Sequence, residues 1–193
     1  MWSAGVIWLL KVICKMHLEL RGVENIPSQP YILASKHQSA LETIIFLNFI
    51  KKPSFILKKE LKFLPVIGLY LYYGGMIFID RKGKASALKS MIKQSKAALR
   101  TGRNIIIFPE GTRGTPGVRL PYHPGVTALY MQMNVPVVPT GLNTGLLWGK
   151  KSFLKRPGIY VIEFLPAILP GESKEEFNQK LTQAIEQTSE SLI

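Results

Sequence analysis

Residues 31–50, YILASKHQSALETIIFLNFI, carry the strongest fold signal in this chain. Residues 31–35 form an apolar run typical of a buried strand, and residues 40–50 form an apolar run typical of a helix. Between them lies a polar segment that carries a histidine and, five residues later, a carboxylate. Such a segment at the junction of two buried elements predicts either a helix cap or a reactive site.

Outward from this stretch, strand and helix patterns alternate along the chain. Strands are predicted at 16–20, 31–35, 53–59, 76–80, 104–108, 135–142 and 158–165. Helices are predicted at 40–50, at 60–73 with a bend at Pro65, at 84–101, at 124–133, and from a capping box at Ser173 to the acidic C-terminus. This alternation predicts an α/β fold in which helices flank a mostly parallel sheet. At 193 residues, we expect one such domain, covering residues 16–193.

The first 15 residues, MWSAGVIWLLKVICK, are predicted to form a separate apolar helix. Spanning a bilayer takes roughly 20 apolar residues, so this helix is too short. A secretory signal is disfavoured because no charged region precedes the apolar run and no small-residue cleavage site follows it. Two interpretations remain: an interfacial helix with Trp2 and Trp8 at the level of the lipid headgroups, and a core helix packed on the domain.

The charge of the chain is positive and unevenly distributed. The formal net charge is +13; residues 1–160 carry 23 basic and 6 acidic side chains, whereas residues 161–193 carry 2 and 6. A basic surface binds anions, and these charges are interleaved with long apolar runs, which favours an anionic membrane or a phosphorylated lipid. No nucleic-acid-binding motif is present, so nucleic acid is disfavoured as a partner. The stripe of cations on the helix at 84–101 is interpreted as a solvated face.

The single cysteine, Cys14, excludes an internal disulfide and is consistent with a reducing compartment.

The pair His37 and Glu42 has two compatible interpretations. Ser39 followed by Glu42 matches a capping box, which alone would explain the glutamate. If Ser39 caps the helix, His37 lies in the preceding loop and can fold back over the first turn, towards Glu42. The carboxylate would then fix the imidazole tautomer and leave the other ring nitrogen to act as a general base. The other histidines, His17 and His123, have no recognisable partner and are predicted to be structural or superficial.

Two further segments place charges directly after predicted strands. PEGTRG, residues 109–114, follows one strand, and Asp80 and Arg81 end another. Ligands of open α/β sheets bind at the carboxyl ends of the strands, where Arg113 and the glycine amides suit a phosphate. The alternative is a glycine-rich turn with an exposed ion pair between Glu110 and Arg113, which would contribute little.

Four blocks in this order, HQSALE, GGMIFIDR, IIFPEGTRG and VPVVPTGL, resemble the motifs of the glycerolipid acyltransferase family, in particular the 1-acylglycerol-3-phosphate O-acyltransferases. The resemblance covers residues 37–142. It implies that His37, held by Glu42, deprotonates the 2-hydroxyl of lysophosphatidic acid, which attacks the thioester of acyl-CoA or acyl carrier protein to give phosphatidic acid. It also implies phosphate binding by residues 108–113, with Arg113 on the phosphate, and action at the cytoplasmic face of the membrane without a metal or other cofactor. The residues so assigned to the substrate phosphate are Lys58, Arg81, Glu110, Gly111, Thr112 and Arg113.

One departure from the family pattern concerns the carboxylate. Glu42 stands where the family usually has aspartate, one methylene shorter, although both are carboxylates of similar reference pKa. Three functions therefore stay open at this stage. They are acylation of lysophosphatidic acid, acylation of another acceptor such as glycerol 3-phosphate or a lyso-aminolipid, and non-catalytic binding of anionic membranes. The intact set of His37, Glu42, Glu110 and Arg113 argues against the last.

Overall fold

The computed structural model describes residues 2–80, 83 and 85–193. Helices and strands alternate along the chain in the order α1 (Trp2–Cys14), β1 (Met16–Arg21), β2 (Ile32–Ser35), α2 (Leu41–Phe49), β3 (Pro53–Lys58), α3 (Ile67–Tyr73), β4 (Ile77–Ile79), α4 (Ala85–Arg100), β5 (Asn104–Ile107), α5 (Gly125–Met133), β6 (Val137–Leu142), α6 (Thr144–Leu147), β7 (Gly158–Phe164) and α7 (Lys174–Ser191). Short 3₁₀ turns lie at Val23–Asn25 and Lys59–Phe63.

The strands form a seven-stranded sheet in the order β1-β7-β6-β2-β5-β3-β4. Every neighbouring pair is parallel except β6 and β7, which are antiparallel. The predicted α/β fold with a mostly parallel sheet is therefore confirmed. The central strands β2, β5 and β6 are buried along their whole length, as expected when helices cover both faces of a sheet.

Two apolar layers cover the two faces of this sheet. Along β5, Ile106 faces one layer, while its neighbours Ile105 and Ile107 face the other, because successive strand side chains point to opposite faces. The first layer packs the sheet against α1, α2 and α3, and the second packs it against α4, α5 and α7. Each face thus has its own set of helices.

Helix α1 packs on the domain while leaving much of its apolar surface uncovered. Leu10 is buried in the core and Ser3 donates to Asn48 of α2, whereas Trp8 is 61% and Ile13 71% exposed. None of the described helices combines the length and the hydropathy that crossing a bilayer requires.

Two predicted helices differ from the structure. The segment predicted as one bent helix at 60–73 is a 3₁₀ turn followed by α3, separated by residues 64–66, of which Leu64 has an extended backbone. Pro65 explains the break, because it disfavours helical backbone at the preceding residue and lacks an N–H donor. The helix predicted at 40–50 spans Leu41–Phe49, a difference within the usual scatter of helix boundaries. The short helix α6 has no counterpart among the predicted elements, because four residues are too few to show a helical period.

Helix α4 has its predicted faces, and α7 has its predicted capping box. In α4, Met91 and Ser95 are buried towards the sheet, and Lys89, Lys93 and Arg100 are exposed, as predicted for a solvated cationic face. Lys84, the first cation of the predicted stripe, lies outside the described residues. The capping box at the start of α7 is present: Ser173 Oγ accepts the N–H of Glu176, and the Glu176 carboxylate accepts the N–H of Ser173.

Candidate active site

Three parallel strands end at the same edge of the sheet and bring the predicted site residues together. β2 pairs with β5, and β5 pairs with β3, all parallel, so their carboxyl ends lie side by side. His37 follows the end of β2, the loop 108–114 follows β5, and Lys58 is the last residue of β3. The expectation that His37 and the PEGTRG loop follow strand ends at one edge agrees with this arrangement, whereas its third part, Arg81, lies outside the described residues.

His37 and Glu42 form a direct hydrogen bond. The Nδ1 atom of His37 lies 2.8 Å from Oε1 of Glu42, whose side chain is fully buried. Because a carboxylate only accepts hydrogen bonds, this contact requires the proton on Nδ1 and leaves Nε2 as an acceptor. His37 keeps 17% of its side chain exposed, so its ring is not sealed in the interior.

The Glu42 carboxylate is held by donors on both oxygens. Oε1 also accepts the backbone N–H groups of Gln38 and Ser39, at 2.9 and 2.8 Å, and Oε2 accepts the hydroxyl of Thr144 at 2.7 Å. These contacts include the glutamate half of the predicted capping box. The serine half is displaced: Ala40 is the N-cap residue and makes no side-chain cap, while Ser39 Oγ accepts the N–H of Leu41 at 3.2 Å. One carboxylate therefore orients His37 and also fixes the backbone of the two residues that precede the N-cap.

The imidazole of His37 is fixed by stacking as well as by hydrogen bonding. Its ring lies on that of Phe108, with 3.9 Å between ring centroids and 14° between ring planes. Its backbone N–H donates to Oε2 of Glu110 at 3.1 Å, and its carbonyl accepts the N–H of Gly114 at 2.8 Å. The loop after β5 thus contacts His37 at its ring, its backbone N–H and its backbone carbonyl.

A cavity of about 950 Å³ opens beside His37. Its walls are predominantly apolar and come from both layers of the fold, with Leu47, Leu57 and Leu71 from one and Leu88 and Met91 from the other. A volume of this size suits a drug-sized or lipid-like ligand. The apolar walls fit an acyl chain better than a small polar metabolite.

Cationic and polar groups lie at the same cavity. Lys58, Gly111, Thr112 and Arg113, all predicted to bind a phosphate, line it together with His37. Arg113 is half-buried, and none of the described carboxylates forms an ion pair with it. Arg81, the remaining predicted cation, lies outside the described residues.

Glu110 occupies a different place from the other residues of its loop. Its side chain is buried and does not line the cavity; one oxygen faces the ammonium of Lys36 at 2.7 Å and the other accepts the His37 N–H. Burial raises the pKa of its carboxyl group, although the hydrogen bond and charge of Lys36 and the His37 N–H oppose that rise. In this arrangement Glu110 holds the two loops together and does not face the cavity where a substrate phosphate would lie.

Three residues at or behind the site were not identified from the sequence. His123 and His17 are both exposed, in agreement with the prediction that they are structural or superficial, but His123 also lines the cavity. Thr144 contacts Glu42 across 102 positions of the chain, and Lys36 contacts Glu110 across 74 positions.

In the described part of the chain, no three His, Cys, Asp or Glu side chains cluster as a metal site would require.

The chain is similar to a known family over most of its length. A family model described as Acyltransferase matches residues 17–143. The 1-acyl-sn-glycerol-3-phosphate acyltransferase of Pseudomonas aeruginosa is 37% identical over 191 residues, which cover 97% of this chain and 74% of that protein. The corresponding protein of Saccharomyces cerevisiae is 30% identical over 165 residues, covering 83% of this chain and 54% of that protein.

A solved structure agrees with these sequence matches. The crystal structure of the 1-acyl-sn-glycerophosphate (LPA) acyltransferase PlsC from Thermotoga maritima superposes with a TM-score of 0.82 at 26% sequence identity. The superposition covers 98% of this chain and 76% of that one. The likeness therefore extends over the whole fold, including α1 and α7.

Proposed function

This chain belongs to the acyltransferase family, and from that premise we propose that it transfers a fatty acyl group from a thioester to the 2-hydroxyl of 1-acyl-sn-glycerol 3-phosphate. The product is phosphatidic acid, a step of phospholipid biosynthesis. One observation carries this proposal: the His37–Glu42 pair opens onto a large apolar cavity that also holds Arg113. The names of the similar proteins from bacteria, yeast and human agree with it.

The chemistry follows from the tautomer of His37. Nε2 accepts the proton of the acceptor hydroxyl while the oxygen attacks the carbonyl carbon of the thioester. The tetrahedral intermediate then collapses, the carbon–sulfur bond breaks, and the imidazolium returns its proton to the thiolate. Glu42 holds the imidazolium through Nδ1 and is itself held by three donors besides His37. No acyl-enzyme forms in this scheme, and Ser39 Oγ is engaged with a backbone N–H.

The cavity positions the two substrates. The Arg113 guanidinium offers the planar pair of donors that suits a phosphate, and Lys58 adds a second positive charge at the same opening. The apolar walls accept acyl chains. Holding the acceptor hydroxyl next to the thioester in this way can lower the activation barrier by several kcal/mol, since well-aligned reactants gain up to roughly 7–11 kcal/mol.

A panel of substrates tests the proposed reaction. Purified protein is incubated with radiolabelled acyl-CoA or acyl carrier protein thioester and with lysophosphatidic acid, glycerol 3-phosphate or a lyso-aminolipid. Labelled phosphatidic acid from lysophosphatidic acid, at a kcat/KM at least tenfold above the other acceptors, is the expected result. Equal use of a neutral acceptor would contradict the assignment of Arg113 to a phosphate, and no transfer to any acceptor would refute the activity. The same panel identifies the thioester donor.

We also propose that the protein works at an anionic membrane, at the cytoplasmic face of the cell membrane. Support comes from α1 and α3, which lie on one face of the sheet and expose Trp8, Ile13 and Tyr73. The two helices are joined by a hydrogen bond from Trp2 Nε1 to the Tyr70 hydroxyl. Lys11 and Lys15 flank this apolar surface, and each basic residue near an anionic bilayer contributes about 1 kcal/mol of attraction.

Cosedimentation with vesicles tests this location. Wild-type protein is expected to bind anionic phosphatidylglycerol vesicles, to bind neutral phosphatidylcholine vesicles more weakly, and to lose affinity at high salt. The double variant Trp8→Ser/Ile13→Ser should bind less, whereas Met131→Ser, which changes an exposed apolar residue on the opposite face, should bind as wild type. An equal loss of vesicle affinity in both variants, or equal affinity for anionic and neutral vesicles, would contradict the proposal.

A further inference from the structure

The residue before the proposed catalytic histidine is a buried lysine. Lys36 is 2% exposed, and its ammonium lies 2.7 Å from Oε1 of Glu110 and 2.9 and 2.8 Å from the two oxygens of Glu186. Both carboxylates are buried as well. We refer to Lys36, Glu110 and Glu186 as the Lys36 cluster. It places one positive charge between two negative charges beneath the active site.

The Lys36 cluster is connected to His37 through Glu110. While Lys36 holds Oε1 of Glu110, Oε2 of the same carboxylate accepts the backbone N–H of His37 at 3.1 Å. The backbone N–H of Lys36 itself donates to the carbonyl of Thr140 in β6, at 3.0 Å, so the residue is anchored to the sheet. A shift of the ammonium would therefore move the carboxylate that fixes His37.

The cluster is also anchored on the C-terminal helix. Glu186 lies on α7, whose Phe177, Leu181 and Ile185 are fully buried against the sheet, so its position is rigid. Oε1 of Glu186 also accepts the hydroxyl of Tyr122, the residue before the cavity-lining His123. The loops that carry His37, Arg113 and His123 are thus connected to one another through Lys36 and Glu186, and through Glu186 to α7.

Stability alone does not account for these buried charges. The cost of removing two carboxylates and an ammonium from water usually offsets their mutual attraction, and well-packed apolar side chains stabilise a core as well or better. Unlike apolar groups, the charged groups connect specific atoms, the Lys36 ammonium with one oxygen of Glu110 and with both oxygens of Glu186. The cluster is well suited to fixing a loop in one conformation.

We propose that Lys36 is a positioning residue for the acyl transfer: it sets the orientation of Glu110, which sets the backbone of His37, and Glu186 connects this arrangement to α7. The effect on turnover rests on the proposed function, whereas the effect on the His37 backbone does not. A displacement of about 1 Å in a catalytic group can cost roughly a hundredfold in rate. Loss of the cluster should therefore lower kcat more than it alters the KM of the acceptor, whose phosphate is bound by Arg113.

Two variants and a matched control test the proposal. Lys36→Met removes the ammonium at similar side-chain length. Glu186→Gln removes the negative charge that pairs Lys36 with α7 and keeps the shape of the side chain. Glu190→Gln is the control, because Glu190 lies one turn further on α7 and pairs with Arg119 at the protein surface. Each protein is assayed for kcat and KM with lysophosphatidic acid, and the hydrogen-exchange rate of the His37 amide is measured by NMR.

In Lys36→Met we expect kcat to fall roughly ten- to hundredfold. In Glu186→Gln we expect kcat to fall as well. In both variants the KM for the acceptor should stay within about threefold of wild type. In both variants the His37 amide should exchange faster, and Glu190→Gln should match wild type in every measurement. If Lys36→Met does not fold, Glu186→Gln decides. Wild-type exchange at His37, or wild-type kcat, in a folded variant of the cluster overturns the proposal. An inactive wild-type protein would refute the proposed function, and the exchange rates would still decide whether the cluster fixes His37.

Discussion

The Nδ1 atom of His37 and the Oε1 atom of Glu42 lie 2.8 Å apart, and the same oxygen accepts two backbone N–H groups at the start of α2. One glutamate therefore orients the proposed base and fixes the backbone of Gln38 and Ser39, just before the helix that follows. Its other oxygen accepts the hydroxyl of Thr144, beyond β6. The extra methylene relative to the aspartate usual in the family lets the carboxylate reach all four donors.

Glu42→Asp is accordingly expected to be a poor replacement. A shorter carboxylate at this position cannot keep both the contact with His37 and the contact with Thr144. We therefore expect kcat to fall at least tenfold, and by no more than the factor of about 10²–10⁴ that general base catalysis supplies. Steady-state kinetics with lysophosphatidic acid measure this. Glu19→Asp, at a partly buried strand position outside the cavity lining, is the control, and wild-type kcat in Glu42→Asp would contradict this account of the glutamate.

Arg113→Ala is expected to raise the KM for lysophosphatidic acid by at least tenfold with a smaller change in kcat. The guanidinium is placed to bind the acceptor phosphate, a contact present before and during the reaction, and uniform binding of that kind appears in KM. Arg119→Ala, which removes an exposed arginine paired with Glu190, is the matched control. A change confined to kcat would place Arg113 at the reacting atoms and not at the phosphate.

The raised pKa of Glu110 predicts a dependence of stability on pH. Burial is the main cause of the rise above the ordinary value of 4.5, so the folded protein binds a proton at this carboxyl more tightly than the unfolded chain does. The associated stabilisation is complete below pH 4.5 and is lost as pH rises through the folded-state pKa. Urea denaturation at a series of pH values from 4 upwards should show this decline in the wild type and a flatter profile in Glu110→Gln. Identical profiles would contradict the assigned cause.

Much of the fold could be predicted because the relevant signals are local. The apolar runs at β2, β5 and β6 are long enough to identify buried strands, and the capping box at Ser173 marks the start of α7. The rule that parallel strands align their carboxyl ends then places His37 beside the loop after β5. The error at 60–73 is also local: the apolar pattern continues through Pro65, but the backbone does not.

The supporting residues could not be predicted, since their roles depend on contacts between distant parts of the chain. Lys36 has the sequence context of a surface lysine, and Glu186 sits in an acidic helix with the appearance of solvent exposure. Burial of both follows from their mutual contact across 150 positions, which no local pattern shows. Thr144 likewise meets Glu42 only because β6 lies next to β2 in the sheet.

Comparison of wild type with His37→Ala shows whether His37 is the general base of the proposed acyl transfer. Both proteins are assayed for transfer of a labelled acyl group to lysophosphatidic acid, with His17→Ala as a control at an exposed histidine of β1 and circular dichroism to verify the fold. We predict that His37→Ala lowers kcat at least a hundredfold, as loss of a general base does, and that His17→Ala retains wild-type kcat. A folded His37→Ala protein with near wild-type turnover would contradict the account.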